Sequence, residues 1–167
     1  MNAPICEVCL KSDILCSGCK AKLDEGKISE ADVKVSRYLY SLSEKIQSLK
    51  NAKIVKVVEL ADTMVILVGK GSAPIVIGKG ANVLKSLSKN FGKNIKIIEE
   101  GSDVVKVAES ILSVKPIAVN ILYRKDGETY KFRLPSSMKQ KVTISEENFS
   151  RLMKNITGRM ATFVFES

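Results

Sequence analysis

Histidine and tryptophan are absent from this chain of 167 residues, and aromatic residues make up only 5% of it. Histidine is the commonest general base and the commonest metal ligand in proteins, so Ser–His, Cys–His and histidine–metal sites are excluded within the chain. No motif of paired carboxylates takes their place. We therefore predict that the chain is not an enzyme.

Long apolar runs are also missing, since none approaches the ~20 residues that a membrane-spanning helix needs. Near the N-terminus, an acidic residue and cysteines stand where an export signal would have lysines and a run of leucines. These two absences predict a cytoplasmic protein with no membrane partner. The length is enough for one or two small domains with hydrophobic cores.

Basic residues outnumber acidic ones by 27 to 18, which gives the chain a net charge of +9. The excess lies beyond the N-terminal third, because residues 53–100 and residues 101–167 each carry a net charge of +4. A basic balance favours a polyanionic partner such as nucleic acid. Ordinary solvated surface lysines are the alternative interpretation, and charge alone does not separate the two.

All four cysteines lie near the N-terminus, with the spacing Cys6-x2-Cys9-x6-Cys16-x2-Cys19. Two Cys-x2-Cys pairs supply the four thiolates that tetrahedral zinc prefers, and they leave no open position for a catalytic water. We therefore predict one structural zinc ion that holds together a segment too short to fold alone. An iron–sulfur cluster also takes four cysteines and stays open as an alternative, whereas two disulfides would need an oxidising compartment.

Apolar periodicity and turn residues predict two similar cycles of helices and strands behind the cysteines. The elements of the first cycle are a capped helix over 30–50, strands over 53–60 and 63–68, a helical turn over 72–77, a loop over 78–81, a helix that ends at Gly92 and a strand over 94–99. The elements of the second cycle are a helix over 103–112, strands over 117–123 and 129–134, a short polar stretch over 136–143, a helix over 146–156 and a strand over 160–165. The spacing indicates an internal repeat of about 65 residues.

A glycine–lysine loop stands between two helices of the first cycle, in the run Val76-Ile77-Gly78-Lys79-Gly80-Ala81. With Leu87 and the run Gly92-Lys93-Asn94-Ile95-Lys96-Ile97, it resembles the K homology (KH) domain of type II topology. The two consecutive cycles are similar to the tandem KH region of archaeal NusA-like proteins, over about residues 50–167. The loop matches neither a Walker A nor a dinucleotide-binding pattern.

The resemblance implies the fold class α+β, with two consecutive type II KH domains of element order α-β-β-α-α-β behind a small four-cysteine zinc knuckle and a helix. The implied division is a zinc-binding cysteine segment over 1–28, a helix with the first KH domain over 29–100, and a second, degenerate KH domain over 101–167.

KH domains clamp about four nucleotides of single-stranded RNA or DNA with a GXXG loop. Carried over to this chain, Gly78 and Ala81 take the two glycine positions, with Lys79 and Gly80 between them. Further lysines are candidates for the RNA-binding groove, although surface solubility is the alternative for each of them: Lys70, Lys85, Lys93 and Lys96. Four apolar residues are candidates for the groove floor, with a core role as the alternative: Val83, Leu84, Ile95 and Ile97.

Two departures from the KH pattern limit this assignment. Ala81 stands in place of the second loop glycine, and its methyl group disfavours a positive φ. In the second cycle the loop position reads Ile144-Ser145-Glu146-Glu147-Asn148, whose carboxylates would repel phosphate. We therefore expect the second domain not to hold nucleic acid through this loop.

The combined expectation is an RNA-binding protein that takes single-stranded RNA through its first KH domain, as a NusA-like factor in transcription elongation or termination. A ribosome-associated translation or RNA-processing factor is one alternative. A protein-interaction adaptor, built from the zinc segment and the degenerate KH domain, is the other. RNA polymerase or the small ribosomal subunit is the expected larger partner.

Overall fold

The computed structural model describes residues 1–166 and divides the chain into two units, Met1–Glu100 and a second unit that starts at Gly101. The helices are α1 (Glu7–Lys11), α2 (Ser17–Asp24), α3 (Glu30–Ser43), α4 (Ala73–Ile77), α5 (Asn82–Phe91), α6 (Val104–Leu112) and α7 (Glu146–Thr157). The strands are β1 (Ile54–Glu59), β2 (Thr63–Val68), β3 (Asn94–Glu99), β4 (Ala118–Arg124), β5 (Gly127–Pro135) and β6 (Met160–Glu166). Short 3-10 helices cover Gln47–Asn51, Lys79–Ala81 and Ser136–Met138. Helices and sheets in both units confirm the α+β class.

Each unit has a three-stranded sheet with one antiparallel and one parallel pair. In the first unit the order is β1-β2-β3, and β2 pairs antiparallel with β1 and parallel with β3. In the second unit β5 holds the same central place between β4 and β6. The parallel pairs are possible because a helical segment separates their strands and returns the chain to the same end of the sheet.

The apolar strand β2 builds the core of the first unit, and Val65 and Leu67, which point to its other face, are buried as well. Met64, Ile66 and Val68 occupy every second position of β2 and lie on one face of the sheet, where α3 and α5 cover them. The helices contribute Val35 and Leu87, both without exposed surface. In the second unit the core includes an aromatic cluster, in which the rings of Phe132, Phe149 and Phe163 pack edge to face.

Helix α3 begins as predicted but ends earlier than predicted. Ser29 and Asp32 form the expected capping box, in which each side chain accepts the backbone N–H of the other. The helix ends at Ser43 rather than near residue 50, so the prediction of its length was wrong. The Ser43 hydroxyl donates to the carbonyl of Tyr40 at 2.5 Å, which competes with the helical hydrogen bonds of the last turn.

The side chain of Asp32 also joins α3 to the sheet. It is 4% exposed, and its second oxygen accepts the N–H of Val57 in β1 at 2.5 Å. A buried carboxylate is tolerated only where hydrogen bonds replace its hydration. The helix start and the strand are therefore held in one arrangement by a single charged group.

Of the helices within residues 1–166, none has both the length and the apolar character that a membrane crossing requires.

We predict that Asp32→Ala lowers the free energy of unfolding by about 3 kcal/mol, because it leaves the N–H groups of Ser29 and Val57 without their acceptor. Asp32→Asn retains one acceptor oxygen, so its free energy of unfolding should lie between those of Asp32→Ala and wild type. Urea unfolding followed by circular dichroism measures the change. Asp24→Ala removes an exposed carboxylate and serves as the control. Equal stability of all three variants would refute the bridging role of Asp32.

Candidate functional site

The four cysteines occupy equivalent positions in two short helices. Cys6 is the N-cap residue of α1 and Cys16 is the N-cap residue of α2, while Cys9 and Cys19 lie in the first turns. Backbone N–H groups at a helix start favour negative charge, which includes thiolate. The Cys-x2-Cys spacing therefore places both sulfurs of each pair at the positive end of a helix.

Hydrogen bonds cross between the two pairs in a nearly symmetric pattern. The N–H of Cys6 donates to Sγ of Cys19 at 3.4 Å, and the N–H of Cys16 donates to Sγ of Cys9 at 3.1 Å. Within the second pair, the N–H of Cys19 donates to Sγ of Cys16 at 3.4 Å. Donors of this kind orient sulfur ligands and stabilise their negative charge.

The sulfur positions fit a single tetrahedral ion. All four Sγ atoms lie within 4.8 Å of one another, and Sγ of Cys6 is 3.4 Å from that of Cys9 and 3.8 Å from that of Cys16. Metal–sulfur bonds of about 2.3 Å in a tetrahedron require sulfur–sulfur separations of about 3.8 Å. The four cysteines are free thiols in the described chain, so the cluster could hold a metal ion.

The protonation of the cluster is uneven. The pKa of Cys16 is lowered to about 6, chiefly because the N–H of Cys19 donates to its sulfur. The N–H of Cys16 likewise donates to the sulfur of Cys9 and lowers its pKa. Burial and hydrogen bonds with the other thiols outweigh this effect and raise the pKa of Cys9 to about 12. A cation that binds here must displace the proton of Cys9, so its affinity should rise with pH.

Helix α3 supports the cluster from one side. Five buried residues form a small core between the cysteine segment and α3, namely Ile5, Cys9, Leu10, Cys19 and Val33. Nε of Arg37 donates to the carbonyl of Cys9 at 3.0 Å, and one terminal nitrogen of this guanidinium is buried without a hydrogen-bond partner in the described chain. The sequence carried no signal for Arg37, because 28 positions separate it from Cys9.

The glycine–lysine loop, residues 78–81, forms the junction between α4 and α5. Gly78 has φ 81° and ψ 171°, and a Cβ atom there would lie 2.1 Å from Oδ1 of Asn82 and 2.7 Å from Cγ2 of Val83. Both the conformation and the space therefore require glycine. At Gly80, where φ is 62°, no atom beyond its two chain neighbours lies within 4 Å of the place that a Cβ atom would occupy, so the space on that side of its backbone is open.

Ala81 adopts the conformation that its side chain disfavours. It has φ 60° and ψ 29°, in the left-handed region, directly before α5. The N–H of Ala81 donates to the carbonyl of Gly78 at 3.1 Å and closes the turn. Left-handed backbone costs a residue with a Cβ atom about 1–2 kcal/mol, and such strain is concentrated at functional sites in many proteins.

The predicted lysines fall into two groups. Lys70, Lys79 and Lys85 are exposed, and none of them makes an ion pair or a side-chain hydrogen bond within residues 1–166. Lys93 is instead engaged, since its Nζ lies 2.5 Å from Oε1 of Glu59 and 2.7 Å from the carbonyl of Leu60. It joins the start of β3 to the end of β1, an attachment that the sequence pattern did not indicate.

Lys96 and the apolar candidates take positions in or beside the first sheet. Lys96 lies in β3 and is partly buried, and this burial lowers its pKa. Ile95 and Ile97 pack against the first core, and Val83 has no exposed surface. Leu84 is the one apolar candidate of the four that does not belong to the first core. It lies in α5 and is half-buried.

The Lys70 turn is attached to the sheet. The N–H of Gly71 and the N–H of Ala73 both donate to Oε1 of Glu99, at 3.1 and 3.3 Å. Glu99 thereby accepts hydrogen bonds at the start of α4, and Lys70 stands exposed on the turn that precedes it. The turn and the glycine–lysine loop thus flank the two ends of α4.

The second unit has a different junction. A 3-10 turn at Ser136–Met138 is the helical segment before α7, and Ser145 caps α7 by accepting the N–H of Asn148 at 3.1 Å. Glu146 and Glu147 occupy the first turn of α7. The start of α7 is therefore acidic where the start of α5 is cationic.

No family model matches this chain, and no curated protein matches it. Among solved structures, the crystal structure of APE1850 is similar to it, with a TM-score of 0.51 and 18% sequence identity over 75% of this chain and 96% of that one. At this level of identity, the likeness shows a shared fold alone.

We predict that Ala81→Gly raises the free energy of unfolding by about 1 kcal/mol, because glycine relieves the left-handed strain. Lys79→Gly, at a neighbouring position whose φ is not positive, is the control and should lower stability through the entropy of the unfolded chain. Thermal and urea unfolding measure both. If Ala81→Gly is less stable than wild type, the conclusion that the left-handed backbone of Ala81 is strained is wrong.

Proposed function

We propose that the chain binds single-stranded RNA through the glycine–lysine loop of its first unit, as a KH domain does. The observation that carries the proposal is the geometry of residues 78–81. An open glycine backbone and an unpaired ammonium group stand together at the start of α5. The lysine supplies a point charge for phosphate beside this backbone. The N–H groups of Ala81, Asn82 and Val83 already donate within the chain, so the lysine and the open glycine carry the proposal.

The order of elements supports a type II KH topology for the first unit. The chain runs α3, β1, β2, α4, α5 and β3, which matches the order α-β-β-α-α-β. The second unit repeats the arrangement of its sheet, with α6 before β4 and α7 before β6, although a 3-10 turn stands in place of the fourth element. On this proposal the second unit is a degenerate KH domain whose loop position does not hold phosphate.

We assign zinc to the cysteine cluster. Cys6, Cys9, Cys16 and Cys19 would be its ligands, and a closed set of four thiolates suits a structural ion rather than a catalytic one. The ion would cross-link α1 to α2 and hold the small core that these helices form with α3. It has no role in RNA chemistry on this proposal, beyond keeping the cysteine segment folded.

The biological setting that we propose is that of a NusA-like factor in transcription elongation or termination, with RNA polymerase as the larger partner. The same RNA-binding chemistry would serve a factor on the small ribosomal subunit. A protein-interaction adaptor is the second candidate function, and the observation that favours it is the acidic start of α7, where Glu146 and Glu147 exclude phosphate.

We predict that the double variant Lys79→Asp/Gly80→Asp abolishes binding of short single-stranded RNA, because its carboxylates repel phosphate and replace the ammonium group. Aspartate tolerates the left-handed backbone of Gly80 better than most residues, so the fold should survive. Fluorescence anisotropy over a range of salt concentrations measures binding. The wild-type log–log slope should be about −0.7 for each neutralised phosphate.

A charge-matched control is Lys34→Asp/Gln47→Asp, at exposed positions of α3 and of the 3-10 helix that follows it. This variant makes the same change in net charge and should bind RNA nearly as wild type does. If wild type fails to bind, or if the loop variant binds equally well, the RNA-binding proposal is wrong and the adaptor becomes the better candidate.

We predict that the purified chain contains one zinc ion and no iron, as measured by elemental analysis. Chelation should make Lys11, Lys20 and Lys22 accessible to trypsin, because α1 and α2 lose their cross-link, while residues 30–166 stay protected. Zinc affinity should weaken as the pH falls, since the raised pKa of Cys9 lets protons compete with the metal.

Cys16→Ser should lose zinc, whereas Ser17→Ala, at the adjacent position that offers no ligand, should retain it. Unchanged tryptic cleavage after chelation would count against a structural ion, and iron with visible absorption would identify an iron–sulfur cluster instead.

A further inference from the structure

Strand β4 of the second unit is an exposed edge strand. It pairs with β5 on one side, and no other described strand pairs with it. Its side chains are exposed along most of its length, which includes apolar ones: Tyr123 is 77% exposed, Leu122 41% and Ile121 39%. Proteins seldom leave a row of apolar side chains on an open strand edge without a use for it.

The turn that follows this strand is cationic. Arg124 is the last residue of β4 and Lys125 is the first residue of the turn, and both are exposed. Lys131 lies on the neighbouring strand opposite Asn120. None of these three cations makes an ion pair with a carboxylate in the part of the chain that the structure describes.

The nearest acidic residue of β5 is already engaged. Glu128 lies opposite Tyr123 in the sheet, where its carboxylate is 3.6 Å from the guanidinium of Arg159 and accepts the hydroxyl hydrogen of Tyr130 at 3.4 Å. These partners offset its charge. Asp126 in the turn is the remaining acidic neighbour, and the charge of the hairpin end stays positive.

Alternation along the strand separates aromatic and cationic groups to two sides of the edge. Tyr123 shares a face with Ile121 and its partner Tyr130, whereas Arg124 shares the other face with Leu122. A ligand strand that crosses the hairpin end therefore meets the ring of Tyr123 on one side and the guanidinium of Arg124 on the other, with Lys125 in the turn beside them. Single-stranded nucleic acid has this character, since bases stack on aromatic rings and phosphates bind cations.

A second copy of the chain fits this edge less well. Antiparallel pairing of two β4 edges about Asn120 would place Lys125 of each copy opposite Lys115 of the other, just beyond the two ends of the strand. Like charges facing each other across strands are destabilising. The charge therefore favours a polyanion over self-association.

We propose that the end of the β4–β5 hairpin, formed by Tyr123, Arg124 and Lys125, is a second contact site for single-stranded nucleic acid. Tyr123 stacks on a base, and Arg124 and Lys125 bind the phosphates beside it. The site rests on the proposed function of the chain, because it extends a nucleic acid that the glycine–lysine loop already holds. It gives the second unit a role in binding that does not use the acidic start of α7.

Two RNAs test the hairpin site on the full-length chain. One is an oligouridine of about four nucleotides, the length that a single KH clamp holds, and the other is a much longer oligouridine. For the long RNA, Tyr123→Ala should weaken binding roughly five- to hundredfold, whereas Tyr123→Phe, which retains the ring, should bind as wild type does. Arg124→Glu/Lys125→Glu should reduce the magnitude of the log–log salt slope by about 1.4, the value for two phosphates.

Binding of the short RNA should be unchanged in all hairpin variants. Lys106→Glu/Lys154→Glu is the charge-matched control, because both lysines are exposed on the helices of the second unit, and it should leave binding of the long RNA nearly unaffected. If the control loses as much affinity as Arg124→Glu/Lys125→Glu, the effect is one of net charge and the hairpin site is wrong.

The outcomes separate this proposal from the one on which it rests. If hairpin variants bind the long RNA as wild type does while Lys79→Asp/Gly80→Asp binds neither RNA, the hairpin site is wrong and the loop stands. If wild type binds neither RNA, both proposals are wrong. If analytical ultracentrifugation shows a wild-type dimer that Tyr123→Ala dissociates, the edge is a self-interface and the hairpin site is again wrong.

Discussion

The first unit depends on one buried charge, the carboxylate of Asp32. One of its oxygens accepts an N–H from the start of α3, and the other accepts the N–H of Val57 in β1. Since a buried carboxylate without hydrogen bonds costs several kcal/mol, the helix and the sheet are stable only in this arrangement. The helix in turn places Arg37 against the carbonyl of Cys9. The sheet and the cysteine cluster are therefore both attached to α3, and Asn2 adds a second link by pairing with the start of β1.

The two units show how one sheet topology can carry different surface chemistry. Both sheets pair their central strand antiparallel on one side and parallel on the other. The first unit then places Gly78 and Lys79 at the start of a helix, whereas the second places Glu146 and Glu147 there. Helix starts favour negative charge. The second start is supplied with its own negative charge. At the first, the N–H of Val83 donates to Oδ1 of Asn82, and Lys79 adds a positive charge.

Local signals were sufficient to predict much of this fold. The bounds of β3 match the predicted strand over 94–99, and α5 ends before Gly92 at φ 64° as a C-cap glycine predicts. The capping box of α3 and the convergence of the four cysteines also follow from spacing alone. Each of these features is decided within a few residues, where the sequence pattern and the energy that it reflects are both local.

The sequence by itself thus determined the order of the elements from α3 onward, their faces and the grouping of the four cysteines, but not the helices α1 and α2 that carry those cysteines. Only the tertiary structure decided that α3 ends at Ser43, that Ala81 takes a left-handed conformation and that Lys93 binds Glu59 rather than standing free. It also decided that the apolar side chains of β4 stay exposed. The ion pair of Lys93 and the exposure of β4 depend on groups that are distant in the chain and close in space. Burial and pairing between such groups outweigh local preference by a few kcal/mol and leave no periodic pattern in the sequence.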